Sequence, residues 1–247
     1  MNIIISNIKK EYKKDNEKYL AIDSISFDIL EGEIVTIVGK SGCGKTSLLN
    51  ILSGLDKDYK GNIIYGNNKP RISYMFQNDA LLPWKSVLDN SLLGLELLKE
   101  LNDKNINKVK SLLKEYGLEK YIYKKPGELS GGQKQRVALV RSLATNPDLL
   151  LLDEPFSALD YFTRILVSED VRKIIKSNNL SAVVITHDIG EAISLGDKVV
   201  VLSDAPSKVK NIYKTNFKND ETIIQRKYQG KYNELYEKIW KDLNNET

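Results

Sequence analysis

Residues Ile34 to Leu52 read IVTIVGKSGCGKTSLLNIL. The first five, rich in β-branched residues and without strict polar alternation, predict a strand buried on both faces. A glycine-rich turn follows, then a helix from Lys45 to about Leu52. Gly39, Lys40, Ser41, Gly42, Cys43, Gly44, Lys45 and Thr46 fill the pattern G-x-x-x-x-G-K-[ST]. The glycines let successive backbone N–H groups turn inward around a phosphate, and the helix that starts near Gly44 adds the positive end of its dipole. Lys45 supplies a point charge for the β- and γ-phosphates, and the Thr46 hydroxyl suits a Mg²⁺ ligand. Cys43 stands at a free position of the loop, where a small residue suffices. A buried strand feeding a helix through such a loop belongs to a mainly parallel α/β sheet.

A second strand end supplies the other half of the chemistry. LLLLDEP, Leu149 to Pro155, is an apolar run that ends in two carboxylates, at the strand edge where α/β sheets present ligands. Asp153 is placed to hold Mg²⁺. Glu154, one residue on, points differently, which suits polarising a water for attack on a γ-phosphate. A third apolar run, AVVIT, leads from Ala182 into His187, the one histidine of the chain. Taken alone, such a histidine is more often a surface residue than a catalytic one. Asn68-Lys69-Pro70-Arg71 lacks the Asp of the guanine-recognition pattern N-K-x-D, which disfavours GTP.

Outward from these three runs, IIISNI near the start and the alternating LAIDSISFDI read as half-buried antiparallel strands, with a polar, turn-like KKEYKKDNEKY between them. NIIYG and RISYMF are two more strands. Ser86 to Leu101 and Ile106 to Tyr116 have helical periodicity, and Ser130 opens a further helix to about Leu143. Tyr161 to Ser177 and Asp188 to Leu195 are helical, the latter with D-x-x-E capping spacing between Asp188 and Glu191. KVVVL, from Lys198, is a strand. From Pro206 on the chain is Lys-rich and weakly patterned, with an amphipathic helix between Lys231 and Leu243.

The bulk numbers fit this picture. A chain of 247 residues can bury a sizeable core. The net charge of +4 is too small to argue for nucleic acid. One cysteine allows no intrachain disulfide. The N-terminal apolar run is too short for a signal peptide, and no stretch reaches the roughly 18 apolar residues of a membrane span. These features predict a cytoplasmic chain that reaches a membrane only through a partner.

LSGGQKQRVALVRSLATNPDLLLLDEP, Leu129 to Pro155, narrows the reading. Ser130-Gly131-Gly132-Gln133 has capping-box spacing, and its two glycines leave a helix start bare for an anion. LSGGQ just upstream of the carboxylate strand resembles the signature of ATP-binding-cassette (ABC) ATPases, a likeness that covers about Met1 to Ser203. The resemblance implies a P-loop ABC ATPase fold: a mainly parallel core sheet, an N-terminal antiparallel β subdomain and a helical subdomain over about 78–145. Together these make a domain of residues 1–204, with 205–247 as a small extension packed on it. It implies ATP and Mg²⁺ as cofactors. Gln77 falls on the family's Q-loop glutamine, which senses Mg²⁺ and the attacking water. Ser157 to Asp160 match the D-loop, and His187 falls on the switch histidine that contacts the γ-phosphate. Tyr12 matches the aromatic residue that stacks on adenine, with Tyr19 as the alternative. Family cassettes pair as two-fold dimers, so Ser130, Gly131, Gly132 and Gln133 would act on the partner's nucleotide.

What the cassette drives is hinted at by FQNDALLPWKSVLDNSLLGLEL, Phe76 to Leu97. An apolar Leu81-Leu82-Pro83-Trp84 loop needs covering, either by the chain's own helical lobe or by a partner. The stretch resembles importer cassettes of the nitrate, sulfonate and taurine group, which receive a helix of a separate permease beside this loop and are fed by an extracytoplasmic binding protein. That group more usually has an acidic residue where Gly190 stands and Ala where Gly196 stands. It often continues with an Arg-Pro-Gly turn, where this chain has Asp204-Ala205-Pro206-Ser207. An exporter cassette with separate permeases and a soluble non-transport ABC ATPase are the alternatives.

Overall fold

The computed structural model describes residues 2–14, 17–66 and 68–244. The chain opens with strands β1 (Ile3–Lys14) and β2 (Glu17–Ile29), an antiparallel pair. Both run on into the polar stretch expected to be a turn, with Tyr12 opposite Tyr19 and Lys14 opposite Glu17, while Asp15 and Asn16 lie outside the described residues. The outer part of this hairpin is solvated, so backbone pairing extends the strands where side-chain alternation has lapsed.

Strand β3 (Ile34–Val38) is buried along its length and feeds helix α1 (Lys45–Ser53). Strands β4 (Lys60–Tyr65) and β5 (Ile72–Met75) follow, and then three helices of the lobe: α2 (Val87–Leu97), α3 (Asp103–Glu115) and α4 (Gly131–Ala144). Ser86 and Ser130 close the reciprocal capping boxes that their spacing announced. Helix α2 stops short of Leu101, because Lys99 takes a left-handed conformation with φ 58°. The chain returns through β6 (Leu149–Asp153), α5 (Tyr161–Ser177), β7 (Ser181–Ile185), α6 (Ile189–Leu195) and β8 (Lys198–Leu202).

The weakly patterned C-terminal stretch holds more structure than its sequence suggests. It forms strand β9 (Ser207–Lys214), a short helix α7 (Ile223–Lys227) and helix α8 (Gly230–Asn244). Only Ser207 of β9 is buried, so the strand carries no apolar stripe to announce it. Yet it lies between β8 and β2 and joins the parallel core to the antiparallel strands, in the order β4-β1-β2-β9-β8-β3-β7-β6-β5.

The register of the core places the chemistry. Strand β3 runs parallel to β7 and β8, and β6 parallel to β7 and β5. Ile37 lies opposite Ile185, and Ile185 opposite Asp153. The segments that leave β3, β6 and β7 therefore emerge side by side, carrying Gly39, Glu154 and His187.

Candidate active site

The loop after β3 is shaped by its glycines. Gly42 and Gly44 have φ of 79° and 92°, values that L side chains rarely adopt. Cys43 points inward, and burial pushes its thiol pKa up. A Cβ on Gly39 would lie 2.6 Å from the Cys43 Sγ, so the small sulfur side chain fills the space beneath the loop. The Lys45 ammonium donates to the carbonyls of Gly39 and Lys40 at 2.7 and 2.9 Å. Lys40 turns outward to an ion pair with Asp204 at 3.1 Å.

Thr46 and Asp153 meet at the other end of the loop. The Thr46 hydroxyl donates to Asp153 Oδ2 at 2.9 Å, and the Tyr74 hydroxyl reaches the same oxygen at 3.4 Å. Burial raises the Asp153 pKa, opposed by the Thr46 hydrogen bond. The Thr46 hydroxyl and one carboxylate are the hard oxygen donors that Mg²⁺ takes, leaving its other positions to water and phosphate. These residues fit a nucleotide-borne Mg²⁺.

Two side chains converge on Glu154. Its Oε2 lies 3.3 Å from Gln77 Nε2 and 3.3 Å from His187 Nδ1. Glu154 has φ 48°, a strained value for a residue with a side chain, and its N–H is tied to the Ile185 carbonyl at 3.0 Å. Asp153 and Glu154 thus meet different partners, Thr46 for the one and Gln77 and His187 for the other.

These groups line one cavity of about 490 Å³, walled by Ser41, Gly42, Gly44, Lys45, Thr46, Ser47, Gln77, Glu154 and His187. A Cβ on Gly42 would meet nothing within 4 Å, so the loop's backbone is open to a phosphate chain. Bound Mg-ATP would supply the phosphoryl group and the metal's charge. The loop N–H groups and Lys45 would hold its phosphates, and Glu154 would take a proton from water, oriented by Gln77 and His187.

Tyr12 stands at the rim. Its hydroxyl donates to Ser47 Oγ at 2.9 Å, its ring stacks on Tyr19 with centroids 5.6 Å apart, and Lys10 Nζ lies 4.8 Å from its centroid. Both tyrosines therefore belong to one platform, with Tyr19 its more exposed ring.

Ser130 to Gln133 do not wall this cavity. They lie instead beside Ser157 to Asp160. A Cβ on Gly132 would be 2.7 Å from Leu159 Cδ2, and one on Gly131 would be 3.8 Å from the Ala158 Cβ. Asp160 caps α5 by accepting the Thr163 N–H at 3.1 Å, which lowers its pKa. The predicted residues thus form two groups, the cavity and a separate surface.

One expectation needs revision. The Asp188–Glu191 cap forms only its first half, with the Glu191 N–H donating to Asp188 Oδ1 at 2.9 Å. The Asp188 N–H goes to the Thr186 hydroxyl at 3.1 Å, and the Glu191 carboxyl is buried against Thr186. Burial, aided by Asp188, pushes the Glu191 pKa up to about 8. The glycines at 190 and 196 have local causes: a Cβ would lie 2.5 Å from the Tyr232 hydroxyl at 190 and 2.7 Å from Thr36 Oγ1 at 196. Ser47 and Tyr74 were not singled out from sequence. Ser47 follows Thr46 directly, and Tyr74 gives no sign until β5 is seen beside β6.

A profile of the ABC transporter family matches residues 22–157. The ABC transporter ATP-binding protein YtlC of Bacillus subtilis is 39% identical, over 97% of this chain and 95% of its own length. The nitrate transport protein NasD of Klebsiella oxytoca is 35% identical, over 96% of this chain and 94% of its own. Other relatives are named for bicarbonate transport and for spermidine/putrescine import. The dimeric structure of MJ0796, a bacterial ABC transporter cassette, superposes with a TM-score of 0.78 at 33% identity, over 87% of this chain and all of that one.

Proposed function

This chain belongs to the ABC transporter family of ATP-hydrolysing proteins, and on that premise we propose that it energises a multi-chain importer. Its solute is a small molecule of the nitrate, sulfonate or taurine type, carried by separate permease subunits. Residues 1–204 are the ATPase domain in this reading, with 78–145 as its helical lobe and 205–247 as the extension. Two copies sandwich two nucleotides. Gly39 to Thr46 of one copy hold the phosphates, with Thr46, Gln77 and Asp153 around Mg²⁺, and Ser130 to Gln133 and Asp160 complete the site from the other. Glu154 is the general base, Gln77 senses Mg²⁺ and the attacking water, His187 contacts the γ-phosphate, and the Tyr12–Tyr19 platform takes adenine. The dimeric form of the MJ0796 cassette supports the pairing.

The observation that carries the importer reading is the loop after Gln77. Trp84 is 68% exposed, so packing into the chain's own lobe does not account for it. The loop beneath it is braced. Asn90 accepts the Leu82 N–H at 2.8 Å and donates to the carbonyls of Leu82 and Lys85, while Arg141 holds the carbonyls of Asp79 and Ala80. An indole held out on a rigid base suits a partner helix. Among the described residues no helix is long and apolar enough to cross a membrane, consistent with attachment at the cytoplasmic face through permeases. An extracytoplasmic binding protein would feed the complex.

The test is capture of tagged Glu154→Gln protein from membranes in mild detergent with ATP. An integral membrane protein of permease size, lost when Trp84 is also replaced by Ala, is expected. A permease without any associated binding protein would favour an exporter. A soluble complex alone would overturn the transport reading.

A further inference from the structure

We propose that Tyr232, on the C-terminal helix, is a positioning residue for His187. It fixes the first turn of α6 through Gly190, so the C-terminal stretch sets the hydrolytic rate without touching the nucleotide. The inference rests on the reading of His187 as a γ-phosphate contact.

Helix α6 begins two residues after His187, with Asp188 as its cap. The helix is held from several sides by other parts of the chain. Ile189, Ala192 and Ile193 pack in one apolar cluster with Ile239 of α8, flanked by Tyr232 and Leu235. At its far end, Arg226 of α7 donates to the Ser194 carbonyl at 3.1 Å and Arg172 of α5 to the Leu195 carbonyl at 3.2 Å. Both arginines are buried.

The near end is the part that matters for His187. The point where a Cβ at residue 190 would stand is 2.5 Å from the Tyr232 hydroxyl oxygen and 3.2 Å from Asp188 Oδ1. Residue 190 has no side chain, and the tyrosine occupies that space against the backbone. Asp188, adjoining His187, also pairs with Arg164 Nη1 at 3.6 Å, and Arg164 Nη2 holds the Leu159 carbonyl at 3.0 Å. Tyr232 thus bears on the turn that links the His187 segment to the segment ending at Asp160. A half-buried ring packed against that cluster bears on the turn, and hydrolysis depends on such placement.

Gly to Ala inside a helix ordinarily helps it, so the sign of the effect is diagnostic. In steady-state ATP hydrolysis by the full chain, Gly190→Ala should lower kcat by about three- to tenfold, short of the roughly hundredfold that an ångström of misplacement costs. The KM for ATP should stay within about twofold, because the phosphate loop is untouched. Tyr232→Phe removes the oxygen in the way. It keeps the ring, so it should be near normal alone and should restore kcat in the Gly190→Ala/Tyr232→Phe double variant. Tyr232→Ala, which removes the ring, should instead lower kcat with the KM for ATP within about twofold; unchanged kcat in Tyr232→Ala would overturn the inference. A Gly190→Ala variant with unchanged kcat, or a defect that Tyr232→Phe leaves in place, would overturn the inference. His187→Ala separates the two levels. If it keeps normal turnover, the His187 reading falls and the proposal with it. If it loses turnover while the double variant stays defective, only the role of Tyr232 falls.

Discussion

The nucleotide cavity and the C-terminal stretch use polar side chains in opposite ways. Around Glu154 the contacts are long, 3.3 Å to Gln77 and 3.3 Å to His187, and among the described residues the Lys45 ammonium is bound by carbonyls of its own loop and the Cys43 sulfur. Such contacts can be exchanged for a substrate's atoms, and catalytic hydrogen bonds often tighten only in the complex. In the C-terminal stretch the polar side chains are engaged in holding the fold. Tyr213 and Asn211 of β9 donate to Asp242 of α8 at 2.7 and 2.8 Å. Arg226 is fully buried, donates to the Lys218 carbonyl at 2.8 Å and lies 5.0 Å from the Phe217 ring centroid. The contrast separates groups that do chemistry from groups that hold the elements carrying them.

The hardest test of that contrast falls on Glu154. Glu154→Gln keeps the shape and can keep both neighbours, but it cannot accept a proton. It should bind ATP and lose at least about a hundredfold in kcat, within the range that general-base catalysis supplies. Near-normal turnover would put Glu154 among the holding groups. Lys45→Ala should act one step earlier and weaken ATP binding by about tenfold or more, the worth of a charge-assisted contact. Calorimetric titration with unchanged affinity would remove Lys45 from the phosphate site.

The same contrast explains what the sequence made legible. The cavity residues sit at fixed spacings in three short runs, each ending a buried strand, because phosphate chemistry demands particular residue types at the exits of adjacent strands. Residues 39–46, Asp153 and Glu154 could be read from residue type and spacing before the sheet order was known, and His187 only through the family resemblance. Strand β9 could not. Its burial alternates weakly and its side chains are mostly solvated, so its strand character comes from the edges of β8 and β2, which only the folded sheet supplies. Glu191 was misplaced for a related reason. Its spacing from Asp188 fits a capping box, but the burial that draws its carboxyl toward Thr186 comes from α5 and α7, distant in sequence. Gly190 was legible only as a departure, and Tyr232, which explains it, lies 42 residues on in α8.

Arg226 tests the holding side. Arg226→Leu keeps much of the volume and leaves the Ser194 and Lys218 carbonyls without their donor. The chain should lose about 2–4 kcal/mol of stability in urea unfolding, as expected for stripping a buried charged donor. Its ATP affinity should stay within about twofold, since no phosphate contact is removed. Loss of ATP affinity without loss of stability would mean that the two regions are not separable.

Glu191 lies where the two regions meet and gives an effect spread over several pH units. Its carboxyl is enclosed by Thr186, Asp188, Arg164 of α5 and Lys227 of α7, with Glu154 near enough to act on it. In the folded chain its pKa is about 8, against an ordinary 4.5. Between those values the folded protein keeps a proton that the unfolded chain has released. The stability from this group is therefore fully present below about pH 4.5, falls as pH rises through the window and is gone above about 8, at no more than about 1.4 kcal/mol per pH unit. Other groups titrate too, so the informative quantity is the difference between the wild type and Glu191→Gln, which cannot ionise. That difference should favour the variant increasingly from pH 5 to 8 and then level off. A constant difference across the window would mean that the Glu191 carboxylate is solvated in the fold, and that α5 and α7 do not close over the helix behind His187.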